Sequence, residues 1–259
     1  MSQSEVHVAD REGVRWIELR RPESRNGLTV ETNLAIIAAL KEPGARVAVL
    51  AGSGGHFCSG LDLKYAMRMG PNLAQDAESN MRDAFHGLIR AIRSFDGPVL
   101  AAVDGPAVGF GCDLALACDL RLVSERGRFA EVFVKRGLMP DGGGTWSLPR
   151  LVGVGRALEL MFTGDSIEGA EAVRIGLANR LLATEGFEAA AFEVAARLAK
   201  GAPIPYRHIK QAVYAGLTST LDAALDREAQ GQLECLKSAD FMEGAAAFLQ
   251  KRDPTFRGR

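Results

Sequence analysis

The sequence predicts an α/β core followed by an all-helical region, and three observations carry that prediction. Between residues 6 and 182, short runs such as "VRWIEL", "RVAVLAG", "PVLAAVDG" and "LRLVSE" alternate with glycine-rich turns and helical patterns. From Phe187 onward, "FEAAAFEVAARLAK", "PIPYRHIKQAVYAGL", "LDAALDREAQGQLECL" and "FMEGAAAFLQKR" carry apolar residues at three-to-four spacing with no strand between them. The 259 residues, 47% hydrophobic and 24% charged, are also enough to bury a full core. The change of pattern near residues 184–186 sets the expected division into an α/β core over residues 1–185 and a helical region over residues 186–259.

Each core element prepares the next. The apolar strand "VAVLA" leads into "GSGGHFCSGLDL", and the strand "VLAAV" leads into "DGPAVGFGCDLALACD". Both are a strand, an irregular turn of small residues, then a helical start, a junction that leaves backbone N–H groups unpaired at the helix N-terminus. Neither turn has Walker spacing or a dinucleotide fingerprint. Two such turns predict instead that one N–H from each converges on a single oxygen, to stabilise negative charge developing there. Between them, "MRDAFHGLIRAI" is a helical run, and "FAEVFV" reads as extended. "GLMPDGGGTW" then places Asp141 between a proline and three glycines, where no ordinary helix or strand forms around it. Taken locally, Pro-Asp-Gly is turn chemistry, and nothing more is required of it.

Composition excludes several classes. Thirty-one basic against thirty-two acidic residues, with no long single-sign run, offer no electrostatic footprint for nucleic acid or an anionic membrane. The start "MSQSEVHVADREG" lacks the features of a secretory signal and no stretch is apolar enough to span a bilayer, so a cytoplasmic protein is expected. Cys58, Cys112, Cys118 and Cys235 show no CxxC spacing and the four histidines are scattered; buried free thiols and no metal site are expected.

"HFCSGLDL", "PVLAAVDGPAVGFGCDLALACDLRL", "GLMPDGGGTWSLPRLVG", "FTGDSIEGAEAVRIGLANRLL" and "ADFMEGAAAFLQKRDPTF" together resemble the enoyl-CoA hydratase/isomerase, or crotonase, superfamily. The resemblance covers nearly the whole chain, in the right order. It implies a spiral of repeated ββα units with C-terminal helices that pack a homotrimer, often paired into a hexamer. It implies an acyl-CoA substrate, no separate cofactor, and an oxyanion hole made by the backbone N–H groups of Leu61 and Phe110. The family often has glycine where Phe110 stands, so a phenyl group is expected to narrow or reshape the acyl pocket.

The resemblance also implies which carboxylates act. The two-glutamate pair of the best-known hydratases is absent: Asp113 and Phe133 occupy those positions. Glu131 lies two residues earlier, about 7 Å along an extended chain from residue 133, and is expected to be a poor substitute. Asp141 matches the base of the ring-epoxide and 3,2-enoyl-CoA isomerases of phenylacetate degradation, with Asp113 as a helper or a helix-start residue. Phe133, His86 and Gly111 fall on the implied pocket wall; Arg25, Lys64 and Lys251 fall in segments that line the CoA cleft of relatives. His86 together with Asp141 also resembles the 4-chlorobenzoyl-CoA dehalogenase branch, although Phe133 replaces that branch's tryptophan. A non-catalytic acyl-CoA- or RNA-binding homologue is the alternative of another class, and no lysine-rich helix supports the RNA reading.

Overall fold

The two apolar runs that precede the glycine-rich turns form the centre of the molecule. The computed structural model describes residues 5–69 and 79–259; the first four residues of the amino-terminal segment read above lie outside them. β1 (Val6–Arg11) and β2 (Val14–Leu19) form an antiparallel hairpin. β3 (Val47–Gly52), β4 (Val99–Val103), β6 (Leu120–Ser124) and β9 (Arg180–Leu182) then add in parallel, giving a sheet of order β1-β2-β3-β4-β6-β9. β3 and β4 are buried along almost their whole length, which is why they read as unbroken apolar runs: helices cover both faces of the sheet.

A second sheet, of order β5-β7-β8, is made by β5 (Pro106–Val108), β7 (Arg128–Ala130) and β8 (Ser166–Glu168). β4 bends directly into β5, which opens the helix at Phe110–Ala117, and β6 bends into β7, which opens a 3-10 turn at Val132–Arg136. The preceding pass follows the same course, with an isolated bridge between Cys58 and Ala107 in place of a full strand, and then opens the helix at Leu63–Met69. These are the ββα units of the implied spiral. Each turns its strand-to-helix junction towards the same side, because each second strand pairs with its neighbour's.

α1 (Val30–Lys41), α2 (Leu63–Met69), α3 (His86–Ser94) and α4 (Phe110–Ala117) are followed by α5 (Gly144–Val152), α6 (Val154–Thr163) and α7 (Gly169–Arg174). Ile36, Leu40, Leu88, Ile92, Leu114 and Leu116 bury one side of the large sheet. α8 (Phe187–Ala199) covers the other with Phe187 and then Ala191, Ala195 and Ala199, three small residues at one-turn spacing that let helix and sheet approach closely. The first helix beyond residue 185 thus packs with the sheet. α9 (Pro203–Gly216) and α10 (Leu221–Lys237) bury almost nothing within the chain, and with α11 (Ala239–Gln250) they make the remaining helical region.

That region is tied down by Asp119, at the start of β6. One of its carboxylate oxygens accepts from Tyr214 OH at 2.6 Å; the other accepts from Val99 N at 2.7 Å and pairs with Lys210 Nζ at 2.8 Å. Lys210 also donates to the carbonyls of Ile92 and Gly97. No helix among the described residues is long and apolar enough to cross a membrane. Because Asp119→Ala strands the buried Lys210 charge, it is expected to destabilise the chain by about 3–5 kcal/mol, measurable as a lower midpoint in urea unfolding; a loss under 1 kcal/mol would show that the tether is not structural.

Candidate active site

The first turn is braced from beneath. Asn26, fully buried, donates to the carbonyls of Ser53 and His56 at 2.9 and 2.8 Å and accepts from Arg21 N at 2.9 Å. Arg21 pairs with Asp62 at 2.8 Å, and Asp62 Oδ1 accepts from Lys64 N and Tyr65 N, capping α2. Leu28 N donates to Gly60 O and Asp62 N to Leu28 O, so both neighbours of Leu61 are fixed while the Leu61 N–H points away from that ladder. In the second turn, Val108 N donates to Cys58 O and Gly109 N to Ala130 O, leaving the Phe110 N–H free at the first position of α4. Neither amide has a hydrogen-bond acceptor among the described residues. The turns meet closely: a Cβ on Gly60, which sits at φ +83°, would lie 3.1 Å from Phe110 N.

The Phe110 ring does not stand open in this cleft. It is 2% exposed, packed edge-on against Phe85 with ring centroids 5.0 Å apart, and a Cβ on Gly142 would lie 2.9 Å from its edge. Its bulk is absorbed beneath the Asp141 loop. Phe133 is buried as well, close to Gly109. Gly111 is held against Cys58, whose carbonyl would overlap any Cβ there.

The glycines after Asp141 have a second purpose that sequence reading missed. Asp113, 1% exposed on α4, accepts from Gly142 N at 2.8 Å through Oδ2. A Cβ on Gly142 would lie 2.6 Å from the Asp113 Cβ, and one on Gly144 would overlap Asp113 Oδ1. The backbone must therefore be bare to lie on the carboxyl group. Gly143, at φ +89°, starts α5 from there. On the other side, His86 Nε2 stands 2.9 Å from the Asp141 carbonyl oxygen; a carbonyl only accepts, so that nitrogen carries the proton.

Glu131 is the correction. β7 ends at Ala130 and Glu131, at φ −90° and ψ 69°, begins the 3-10 turn, so "FAEVFV" is not one extended run and the strand-spacing argument does not apply. The Glu131 side chain turns inward, 2% exposed, beside Cys112 and Asp113. Three carboxyl groups thus share one region. Burial, then the charge of Glu131, holds Asp113 well above the ordinary aspartate value; burial chiefly, with the charge of Asp141, pushes Glu131 up to about 7. Asp141 is only half-buried; burial raises it and His86 opposes the rise. Its Oδ1 has no partner.

Arg25 and Lys64 are exposed beside the first turn, where the Arg25 carbonyl accepts from Ser59 N at 3.1 Å. Lys251 ends α11, in the helical region, and the structure draws it to neither of them. Among the described residues none of these three side chains has an ion pair, and no group of residues suits a metal ion. Cys58, Cys112 and Cys118 are buried free thiols, and burial pushes Cys58 up to about 12, so it is inert; Cys235 is half-buried rather than buried.

A family model described as Enoyl-CoA hydratase/isomerase matches residues 9–259. A protein of Rhodobacter capsulatus named a probable enoyl-CoA hydratase is 42% identical over the whole length of both chains. The 1,2-epoxyphenylacetyl-CoA isomerase of Escherichia coli is 34% identical over 95% of this chain and 96% of its own. Among solved structures, an enoyl-CoA hydratase from Bacillus anthracis superposes with a TM-score of 0.93 at 32% identity, covering 99% of this chain and all of that one. The glycine contacts make a test. Gly144→Ala is expected to cost about 1–3 kcal/mol by overpacking against Asp113 and to lower thioester turnover. Gly155→Ala, which meets open space in α6, should gain up to about 1 kcal/mol and leave turnover alone; equal behaviour of the two in thermal melts and assays would overturn the close-approach account.

Proposed function

The chain belongs to the enoyl-CoA hydratase/isomerase family, and from that premise we propose that it moves the double bond of an enoyl-CoA thioester, with Asp141 as the proton-carrying base. The observation that carries this reading is accessibility: of the three carboxyl groups, Asp113 and Glu131 are 1% and 2% exposed while Asp141 is only half-buried. That difference in exposure supports Asp141 as the carboxylate that reaches a substrate carbon. In this reading the thioester oxygen sits between the Leu61 and Phe110 amides. Asp141 takes a proton from the α-carbon of a 3-enoyl thioester, the electron pair delocalises onto the thioester oxygen and over the adjacent alkene, and the same carboxyl returns the proton at the γ-carbon, leaving the double bond between the α- and β-carbons. Two preorganised donors each contribute on the order of 3 kcal/mol at the transition state, and one base then suffices for transfer between two carbons. Arg25 and Lys64, exposed beside the first turn, would meet the anionic end of CoA.

Hydration is the second reading, favoured by one observation: a second carboxyl group, Asp113, bonds the loop that carries Asp141 through Gly142 N at 2.8 Å, and burial holds it well above the ordinary aspartate value. Addition of water needs such a second group. Single variants separate the two. Asp141→Asn is expected to keep fold and acyl-CoA binding and to lower turnover by a factor on the order of 10² to 10⁴, followed as thioester absorbance with 2-enoyl- and 3-enoyl-CoA. Asp113→Asn should cost little in isomerisation and should abolish water addition if that is the reaction. Undiminished turnover in Asp141→Asn would remove the base assignment. Because the base must be ionised and its proton affinity is raised by burial, the acid limb of kcat/KM should fall above the ordinary 3.8 of an aspartate.

The C-terminal helices support an assembly of copies of this chain. Leu221, Leu225, Phe241, Met242, Phe248 and Leu249 are exposed, and a cavity of about 1160 Å³ opens between α9, α10 and α11. Apolar surface of that extent is ordinarily covered. Light scattering is expected to report a trimer or hexamer; a stable monomer at micromolar concentration would count against it.

A further inference from the structure

We propose that Glu131 is a positioning residue: its carboxyl group accepts the hydrogen bond of a protonated Asp113, leaving Asp113 Oδ2 to hold the Gly142 N–H and with it the backbone that carries Asp141. The inference rests on the reading of Asp141 as base. It starts from four oxygens. Asp113 Oδ2 is engaged by Gly142 N at 2.8 Å, whereas Asp113 Oδ1 and both Glu131 oxygens are buried with no partner. Asp113 Oδ1 and Glu131 Oε1 border one point, the place where a Cβ on Gly144 would overlap the first and lie 3.3 Å from the second. Two ionised carboxylates are acceptors only and cannot satisfy one another. A single proton on Asp113 Oδ1 resolves the arrangement, because it supplies the missing donor on the oxygen that the loop does not use.

Apart from the Cys112 thiol, the surroundings offer these oxygens no other partner. The titratable groups facing Glu131 are Cys112 and Asp113 from α4 and Asp141 from the loop, and beyond Asp141 stands His86 of α3, bonded to the Asp141 carbonyl. No lysine or arginine among the described residues forms an ion pair with any of the three carboxyl groups. With no cation to share the charge, buried neighbouring acids retain a proton. Burial, with the charge of Asp141, pushes Glu131 up to about 7, and the hydrogen bonds from Cys112 and Asp113 oppose that rise.

Two substitutions separate positioning from packing. Glu131→Leu keeps the volume and removes the acceptor; Glu131→Gln keeps an acceptor oxygen without the charge. With 3-enoyl-CoA as probe, Glu131→Leu is expected to lose about tenfold or more in kcat with KM changed less than about twofold, and Glu131→Gln to recover most of the loss. Wild-type kcat in Glu131→Leu, or equal impairment of both variants, overturns the proposal. A second arm needs no substrate. Because native Glu131 holds its proton up to about 7 against 4.5 for an ordinary glutamate, the wild type loses stability as pH rises through that window. The Tm of Glu131→Leu should therefore gain on that of the wild type between about pH 5 and about pH 8. Parallel curves, or a Glu131→Leu variant whose Tm stays as far below that of the wild type at pH 8 as at pH 5, would reduce Glu131 to a packing residue. Asp141→Asn assayed alongside keeps the premises apart: if it alone turns over normally the base assignment fails, whereas the two Glu131 variants still report on how Asp113 is held.

Discussion

The hydrogen bond from Gly142 N to Asp113 Oδ2 is the contact on which the site depends. It joins α4, which opens from the second glycine-rich turn, to the loop that carries Asp141, and so sets the candidate base relative to the Phe110 amide through one 2.8 Å contact. Several otherwise unrelated features follow from it. Gly142 and Gly144 must lack side chains because the carboxyl group lies where their Cβ atoms would be. The Phe110 ring is pressed between Phe85 and the loop. Asp113 cannot reorient towards solvent, since α4 is buried over its full length.

Placing three carboxyl groups under and around one loop, with no cation among them, is costly in a low-dielectric interior. The structure answers by exposing one and burying two. Asp141 is half-buried, so burial raises it while His86 opposes the rise; Asp113 and Glu131, almost fully buried, are driven to hold protons. Environment rather than residue type separates the roles, since two of the three groups are chemically identical aspartates.

Rigidity in the other half of the cleft comes from a different device. The Arg21–Asp62 pair and the Asn26 side chain spend their hydrogen bonds on the backbone of the first turn, so Leu61 is fixed by its neighbours without using its own N–H. An oxyanion site needs donors that are immobile and yet unpaired. Bracing the flanking residues achieves both. The Asp119 tether does comparable work at a larger scale, tying α9 to the strand that follows α4.

Much of this was legible in the chain itself. The buried strands β3 and β4, the two strand-to-turn junctions and the helical C-terminus follow from apolar runs, glycine placement and three-to-four spacing, all of them local properties. The family motifs pointed to Leu61, Phe110, Asp113 and Asp141, and the fold sets the turn before Leu61 against Phe110 and the loop after Asp141 against Asp113. What sequence could not show was Glu131, which was discounted on the assumption of an extended chain through "FAEVFV". The strand stops one residue before it because β7 pairs with β5 and β8 only through Ala130, and the backbone then turns the side chain onto α4. Nor could it show that α8 packs with the sheet, or that the glycines beside Asp141 make room for Asp113, twenty-nine residues away from Gly142 in the chain. Local periodicity encodes elements; which carboxyl group ends up in water and which beneath a loop is set by contacts between segments remote in sequence, and only the folded chain contains them.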